Sequence, residues 1–429
     1  MAPYPQQAGR RRAKRNHMEL RNYQKNIVAR AKQILGVNRF VYLAMEVRTG
    51  KTLTSLSIAE EMGVERVLFL TKKKAMSSIS EDSMKLCPSY ELFIMNYESI
   101  HKLPNLKWDL IILDEAHGLG AFPKPSKRAK QVKDLSRGAY VILMSGTPTP
   151  ESYSQMYHQV YGIPGNPFRG YKNFYRFCDD YVDVTSRMVN SVMLKFYNKG
   201  LPSILEAMRP YTISFSQKEA GFKSQLNEQI LRVPMEPRTY AMCSELRKHR
   251  VIDGKKEVIL ADTPVKLMSK LHQMYSGTVK FESGEAMVFD HSKAQFIYDR
   301  FCQDKIAIFY KFKAELQALK DVYGDELTTD LKEFYDGDKT IALQIVSGRE
   351  GISLRQAKAL VYYNIDFSAT SYWQSRDRMT TKERTKSNIY WVFAERGIET
   401  KIYNAVSNKK DYTLKHFKEW NTTTTSSST

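Results

Sequence analysis

Short runs that are apolar at nearly every position recur through the first third of the chain. They fall at Phe40–Met45, Arg66–Thr71, 91–95, 109–113 and Tyr140–Met144, with stretches of helical spacing such as 52–62 between them. A strand with one wet face alternates apolar and polar residues, whereas a strand apolar throughout is buried on both faces. The pattern therefore demands a parallel sheet covered by helices on both sides and joined by right-handed crossovers. A second set of runs, at 305–310, 340–346, 359–363 and 389–393, follows without clear sequence repetition. Between the sets, over 150–230, Tyr, Phe and Asn are frequent and the alternation fades. We read that segment as a mainly helical extension packed on the first unit. Two prolines within 232–237 place the linker between the units there. A chain of 429 residues has room for two such α/β units and an extension.

The strongest local signal is Met45-Glu46-Val47-Arg48-Thr49-Gly50-Lys51-Thr52, which follows an apolar run and opens a helix. A phosphate-binding loop needs that context, because the N–H groups at a helix N-terminus then point at phosphate oxygens. Arg48, Thr49 and Gly50 would line the loop, Lys51 would reach the β- and γ-phosphates, and the Thr52 hydroxyl would ligate Mg²⁺. The first glycine of the usual pattern is replaced by Met45. A partner site follows. The run 109–113 ends in Asp114-Glu115-Ala116-His117, an acidic pair at the end of a buried strand. There Asp114 would hold Mg²⁺ through its water shell, and Glu115 would orient or deprotonate a water. Two acids capping a strand–helix junction are the plainer alternative.

Charge narrows the partners. Lys plus Arg number 66 against 46 Asp plus Glu, a formal net charge of +20, which attracts polyanions and nucleic acid first among them. A solvated basic surface without a specific partner is the alternative. Residues 1–18 form a basic arm and 421–429 a low-complexity tail. The four cysteines, Cys87, Cys178, Cys243 and Cys302, are too scattered for a zinc pair or a disulfide scaffold, which fits a reducing cytoplasm. No apolar run approaches the roughly 18 residues a membrane span needs, and the basic N-terminus lacks the apolar region of a secretory signal.

The order of motifs resembles superfamily 2 helicases, and within them the Swi/Snf-like double-stranded DNA translocases, over roughly residues 19–410. Small phage-encoded members, branch-migration helicases among them, look closest. Leu20-Arg21-Asn22-Tyr23-Gln24 resembles the segment whose glutamine reads adenine, Asn96-Tyr97-Glu98 a motif near the DNA path, and Asp114–His117 the DEAH box. Ser145-Gly146-Thr147-Pro148 resembles the motif that links nucleotide state to DNA contact. The segment 208–235, with Arg209-Pro210, resembles the end of the first lobe in Swi/Snf-like proteins, and 265–277 with Ser292-Lys293 the approach to the second. In the second lobe, 305–313 resembles the fourth motif, 347–354 with Arg349, Gly351 and Ser353 the fifth, and Gln374-Ser375-Arg376-Asp377-Arg378 the sixth. The sixth departs from the family pattern: a second arginine is expected three residues after Arg378, where Thr381 stands. The arginine finger is then Arg378, with Arg376 or Arg384 as alternatives.

The resemblance implies two RecA-like parallel-sheet lobes with a helical extension on the first. Its domains would be 19–150 for lobe 1, 151–234 for the extension and 235–420 for lobe 2. It implies ATP and Mg²⁺ as cofactors and DNA, duplex or branched, as partner. Lys51, Asp114, Glu115 and Arg378 would be catalytic, with Gln24, Thr52 and Gly351 binding the nucleotide. Grip on the backbone would come from Lys72 and Lys73, which with Lys74 follow the 66–71 strand, and from Asn96, Tyr97, Thr147, Arg349 and Trp373. A solvated turn is the alternative for the lysines. The activity implied is ATP-driven translocation that remodels DNA, as in branch migration, by a monomer that meets replication or recombination proteins. A nucleotide-gated DNA binder with little hydrolysis, favoured by Thr381, and an RNA helicase are the rival expectations.

Overall fold

The computed structural model describes residues 19–189, 192–222, 225–254, 257–348, 352–379 and 386–408. After helix α1 (Asn22–Asn38), strand β1 (Phe40–Met45) leads into helix α2 (Lys51–Met62). Four further strands follow: β2 (Arg66–Thr71), β3 (Glu91–Asn96), β4 (Leu110–Leu113) and β5 (Tyr140–Met144). A hairpin, β6 (Thr185–Val189) and β7 (Val192–Phe196), and two edge strands, β8 (Thr212–Phe215) and β9 (Gln225–Val233), come next. Two small hairpins, β10 (Val251–Asp253) with β11 (Val258–Leu260) and β12 (Thr278–Lys280) with β13 (Ala286–Val288), precede the second sheet. That sheet contains β14 (Ala307–Tyr310), β15 (Leu327–Thr328), β16 (Thr340–Gln344), β17 (Ala359–Tyr362) and β18 (Lys386–Ala394).

The result is two six-stranded sheets, ordered β3-β2-β4-β5-β1-β8 and β15-β16-β14-β17-β18-β9, with every pairing parallel. These are two RecA-like α/β lobes. The continuous apolar runs are explained by the two-sided burial they implied. Along β1, Phe40 and Tyr42 enter one core while Val41, Leu43 and Met45 enter another on the opposite face. In β14, Ala307 and Phe309 divide from Ile308 and Tyr310 in the same way. Among the described residues no helix is long and apolar enough to cross a membrane.

The extension after β5 contains the short helices Gln155–Gln159, Phe174–Tyr181 and Ser203–Met208, and also the β6–β7 hairpin. Its aromatic richness is spent on packing. Tyr157, Phe168, Phe174 and Phe177 are buried in one cluster that continues the first lobe's core, with Tyr157 and Phe177 ring centroids 4.8 Å apart.

The expected linker at 232–237 is corrected. The chain leaves the first sheet after β8 and has joined the second by Gln225, so the crossing runs over 216–224. All nine residues of β9 pair with β18, but β9 is a polar edge strand, Gln-Leu-Asn-Glu-Gln-Ile-Leu-Arg-Val, and gives no apolar run. The crossing segment also braces the loop after β1. Gln217 donates its backbone N–H to Glu46 Oε2 at 2.7 Å and its side-chain amide to the Val47 carbonyl at 3.0 Å.

Candidate active site

The loop after β1 turns through two left-handed residues, Arg48 at φ 63° and Gly50 at φ 82°. The positive φ favours glycine at 50, and a Cβ there would also displace the Gln24 amide, whose Nε2 would lie 2.5 Å away. Lys51, first residue of α2, folds its Nζ back onto the carbonyls of Met45 at 2.9 Å and Glu46 at 3.2 Å. Burial lowers its pKa, while the charges of Glu115 and Asp114 oppose that shift. Thr49 is buried and its hydroxyl closes the loop on the Glu46 carbonyl at 2.7 Å. Thr52 stands half-buried in the first turn of α2.

Two strands away, Asp114 follows β4 and accepts from Thr71 Oγ1 at 2.8 Å. Burial, reinforced by the neighbouring Glu115 charge, pushes its pKa up to about 6. Glu115 occupies a left-handed conformation, φ 50°. Burial acts to raise its pKa, but the hydrogen bond and charge of His117, with Lys51 and Lys72 behind, hold it down at about 2. His117 Nδ1 lies 3.2 Å from Glu115 Oε2 and 3.0 Å from Ser145 Oγ. A carboxylate only accepts, so Nδ1 carries the proton. Ser145 Oγ also accepts the Thr147 backbone N–H at 3.1 Å. The acidic pair and the 145–148 loop therefore form one hydrogen-bonded unit.

The second lobe closes over it. Gln374 Nε2 lies 3.5 Å from Glu115 Oε2. From the other side, Arg48 reaches Ser353 Oγ at 3.4 Å and donates to the Arg378 carbonyl. Between the lobes lies a cavity of about 330 Å³ lined by Glu46, Glu115, Thr147, Gln217, Trp373, Gln374 and Arg376, among others. Two buried polar atoms on its lining residues, Thr147 Oγ1 and Gln374 Oε1, have no hydrogen-bond partner among the described residues. A buried polar group without a partner is costly, so an incoming polar ligand gains by satisfying them.

The donor set suits a magnesium nucleotide. No group of three or more His, Cys, Asp and Glu that could hold a metal stands together among the described residues. Mg²⁺ needs no such cage, because it keeps several waters and binds through one or two carboxylates together with substrate phosphates. Asp114 and Thr52 would hold it.

The structure brings Glu115, Thr147 and Gln374 to one cleft, with Lys51 and Asp114 in the same charge neighbourhood and Arg378 close enough for its charge to lower the Lys51 pKa. Other expected residues are employed differently. Gln24 is buried: its carbonyl oxygen accepts the Arg21 N–H at 3.0 Å, and its amide donates toward Gly50 O and Thr54 Oγ1 at 3.3 Å each. Here it braces the loop rather than facing an open pocket. Tyr97, expected among the residues that grip the DNA backbone, is not exposed to it. It is buried and spends its hydroxyl on the Asp114 carbonyl at 2.7 Å. Trp373 lines the cleft, with its indole N–H on the Val406 carbonyl at 3.2 Å. Asn96 is half-buried at the end of β3, and its Oδ1 has no partner among the described residues. Lys73 and Lys74 are exposed, whereas Lys72 is half-buried. Arg349, Gly351, Thr381 and Arg384 lie outside the described residues.

Arg376, an alternative for the finger, lines the cleft but is engaged within its own lobe. It pairs with Glu228 of β9 at 3.0 Å and lies 4.7 Å over the Trp373 ring. Arg378 Nε donates to Gln374 O at 3.1 Å and Nη1 to Ile352 O at 3.4 Å, both in its own lobe. Sequence reasoning did not single out Thr71 or Glu228, and it named Gln374 only as part of the sixth-motif match. Thr71 carried one signal, its place as the last residue of a buried strand beside β4.

Residues 66–201 match the family model of the SNF2-related domain. The matched span contains Thr71, Asp114, Glu115, His117, Ser145 and Thr147. No curated protein relative matches the chain. Among solved structures, the chain aligns with the Sulfolobus solfataricus SWI2/SNF2 ATPase core in complex with dsDNA at 15% identity, over 92% of each chain, with a TM-score of 0.43. It aligns with the Sulfolobus solfataricus SWI2/SNF2 ATPase core domain at 16% identity, over 95% of this chain and 90% of the other, with a TM-score of 0.39.

Proposed function

We propose that this chain is an ATP-driven DNA translocase that remodels duplex or branched DNA. The observation that carries the reading is a single cleft with Lys51, Asp114 and Glu115 on one wall and Gln374 and Arg378 on the other. Bound ATP with Mg²⁺ supplies a transferable γ-phosphoryl group and the cation that neutralises it. Lys51 and the first turn of α2 bind the phosphates. Glu115, ionised at neutral pH, orients the attacking water and takes its proton. The two lobes share the ligand, so binding favours the closed cleft by its greater affinity for that state. The Ser145–Thr147 loop, bonded to the acidic pair through His117, passes the change to the DNA side of the lobe. Exposed Lys73 and Lys74 and the +20 charge supply sequence-independent contact with phosphates. We place the protein in the reducing cytoplasm, acting as a monomer.

The test is ATP hydrolysis alone and with single-stranded DNA, duplex DNA, a four-way junction and RNA, with Lys51→Ala as control. Stimulation by duplex or junction that disappears in the variant is expected. No stimulation by any polymer, in protein that still binds ATP, overturns the reading. A second reading, a nucleotide-gated DNA binder, is favoured by one observation: Arg376 is consumed by Glu228 and Arg378 is bonded within its own lobe. A working finger is worth about 10³–10⁵ in rate, so the basal rate separates the two.

Arg48 gives a sharper expectation. A non-glycine residue at positive φ costs about 1–2 kcal/mol, so glycine would relieve the backbone at this position. The retained guanidinium grips the backbone of Arg378 across the cleft. Arg48→Gly is expected to keep or raise the melting temperature while lowering kcat about tenfold, the loss of one charge-assisted hydrogen bond. ATP affinity should change little. An unchanged kcat removes Arg48 from lobe closure.

A further inference from the structure

The β6–β7 hairpin has a composition that packing does not explain. Its strands pair with Met188 opposite Met193, Arg187 opposite Leu194, Ser186 opposite Lys195 and Thr185 opposite Phe196. Residues directly opposite share a face, and successive pairs alternate faces. One face therefore presents Met188, Met193 and Lys195, and the other Leu194, Phe196 and Arg187. The apolar members are exposed on both faces: Met188 60%, Met193 56%, Leu194 43% and Phe196 41%. A sheet that served only the fold would bury one of them. Each face pairs apolar side chains with one cation, and 185–196 contains no acidic residue.

The hairpin is anchored at its base to the segment after the cleft-lining loop. Its base closes at the Val182–Gly200 bridge. Ser154 Oγ donates to the Tyr197 carbonyl at 2.6 Å, and the Gly200 N–H donates to Ser152 Oγ at 3.4 Å. A Cβ at Gly200 would lie 2.5 Å from the Ser154 nitrogen, so only glycine seats here. Ser152 follows Thr147 and Pro150, which line the inter-lobe cavity, so the base of the hairpin is anchored next to the cleft-lining loop of the first lobe.

We infer that this hairpin is a nucleic-acid wedge, with Met188, Met193, Leu194 and Phe196 contacting unstacked bases at a fork or junction and Arg187 and Lys195 meeting the flanking phosphates. Apolar side chains are what proteins insert between base steps, and cations on both flanks with no acid among them complement a polyanion. A protein partner would need no such charge bias. The inference deepens the proposed function and rests on it.

The test combines Met188→Ser, Met193→Ser, Leu194→Ser and Phe196→Ser. All four sites are exposed, so the fold is retained, checked by an unchanged melting temperature. Affinity is measured for a forked DNA and a blunt duplex of equal length, and for the same fork in RNA. A 2-aminopurine base at the fork reports unstacking. The parent should prefer the DNA fork about tenfold and brighten the probe, since each base contact of this kind is worth about 1–3 kcal/mol. The variant should lose the preference and the brightening while keeping duplex-stimulated ATPase within about twofold. Equal fork binding by parent and variant overturns the inference, as does a variant that changes only self-association, or an equal preference for the RNA fork. If no polymer stimulates the parent, it is the proposed function that fails. If the parent is stimulated and the variant matches it at forks, only the wedge fails.

Discussion

Glu115→Gln lowers ATP turnover by about 10²–10⁴-fold, the usual contribution of a positioned general base. The substitution is nearly isosteric. The amide oxygen can still accept from His117 and the cavity keeps its shape, but the group can no longer take a proton from water. Because Glu115 is held ionised down to about pH 2 by His117, Lys51 and Lys72 against its burial, the parent's base is available throughout the neutral range. Nucleotide binding should survive within a few-fold, since in the proposed function the phosphates are held by Lys51 and the helix N-terminus. Single-turnover hydrolysis and equilibrium binding of a fluorescent ATP analogue separate the two effects. Turnover within threefold of the parent would take Glu115 out of the chemistry.

The second large effect is on stability. Lys293 and Glu399 form an ion pair at 2.7 Å with both side chains fully buried in the second lobe. Lys293 Nζ also donates to the Tyr363 carbonyl at 3.3 Å, and Glu399 Oε1 accepts the Ala394 N–H at 3.3 Å. The pair ties the helix Ser292–Phe301 to the turn after β18, where a Cβ at Gly397 would fall 1.9 Å from Glu399 Oε2. Removing one partner strands the other's charge in the core, so Lys293→Met should cost about 3–5 kcal/mol. For a unit of this size that lowers the melting temperature by about 10 °C. Lys293→Met combined with Glu399→Leu should recover most of the loss, because a well-packed apolar pair avoids the desolvation penalty. Thermal and denaturant unfolding of the three variants decide it. A double variant as unstable as Lys293→Met would assign the cost to lost packing rather than to the stranded charge.

What was legible in the sequence follows from how local each feature is. β1, β2, β4 and β5 announce themselves because two-sided burial requires every residue to be apolar, a condition visible within five or six positions. Lys51 and the Asp114–Glu115 pair are legible for a related reason. A phosphate-binding loop places its lysine at the start of the following helix, and a magnesium-holding pair sits directly after the last apolar position of a buried strand. The family resemblance ordered these signals into two lobes.

The features that escaped depend on distance. β9 is polar because it is an edge strand, and its Glu228 is held there by Arg376, the Trp391 indole N–H at 3.0 Å and the Tyr372 and Tyr403 hydroxyls at 3.1 and 3.3 Å, residues far along the chain. The crossing between lobes was misplaced by the same blindness. Tyr97, expected from the resemblance to grip the DNA backbone, has its hydroxyl drawn inward to satisfy the Asp114 carbonyl.

By itself, then, the sequence determined the two-sheet architecture and the chemical identity of the cleft walls, since strand burial and helix-end chemistry act over a few residues. Only the tertiary structure decided that Arg376 pairs with Glu228, that Arg48 spans the lobes, and that Gln24 is occupied with the loop. Each depends on which donor reaches which acceptor first across tens or hundreds of residues, and no local pattern encodes that competition.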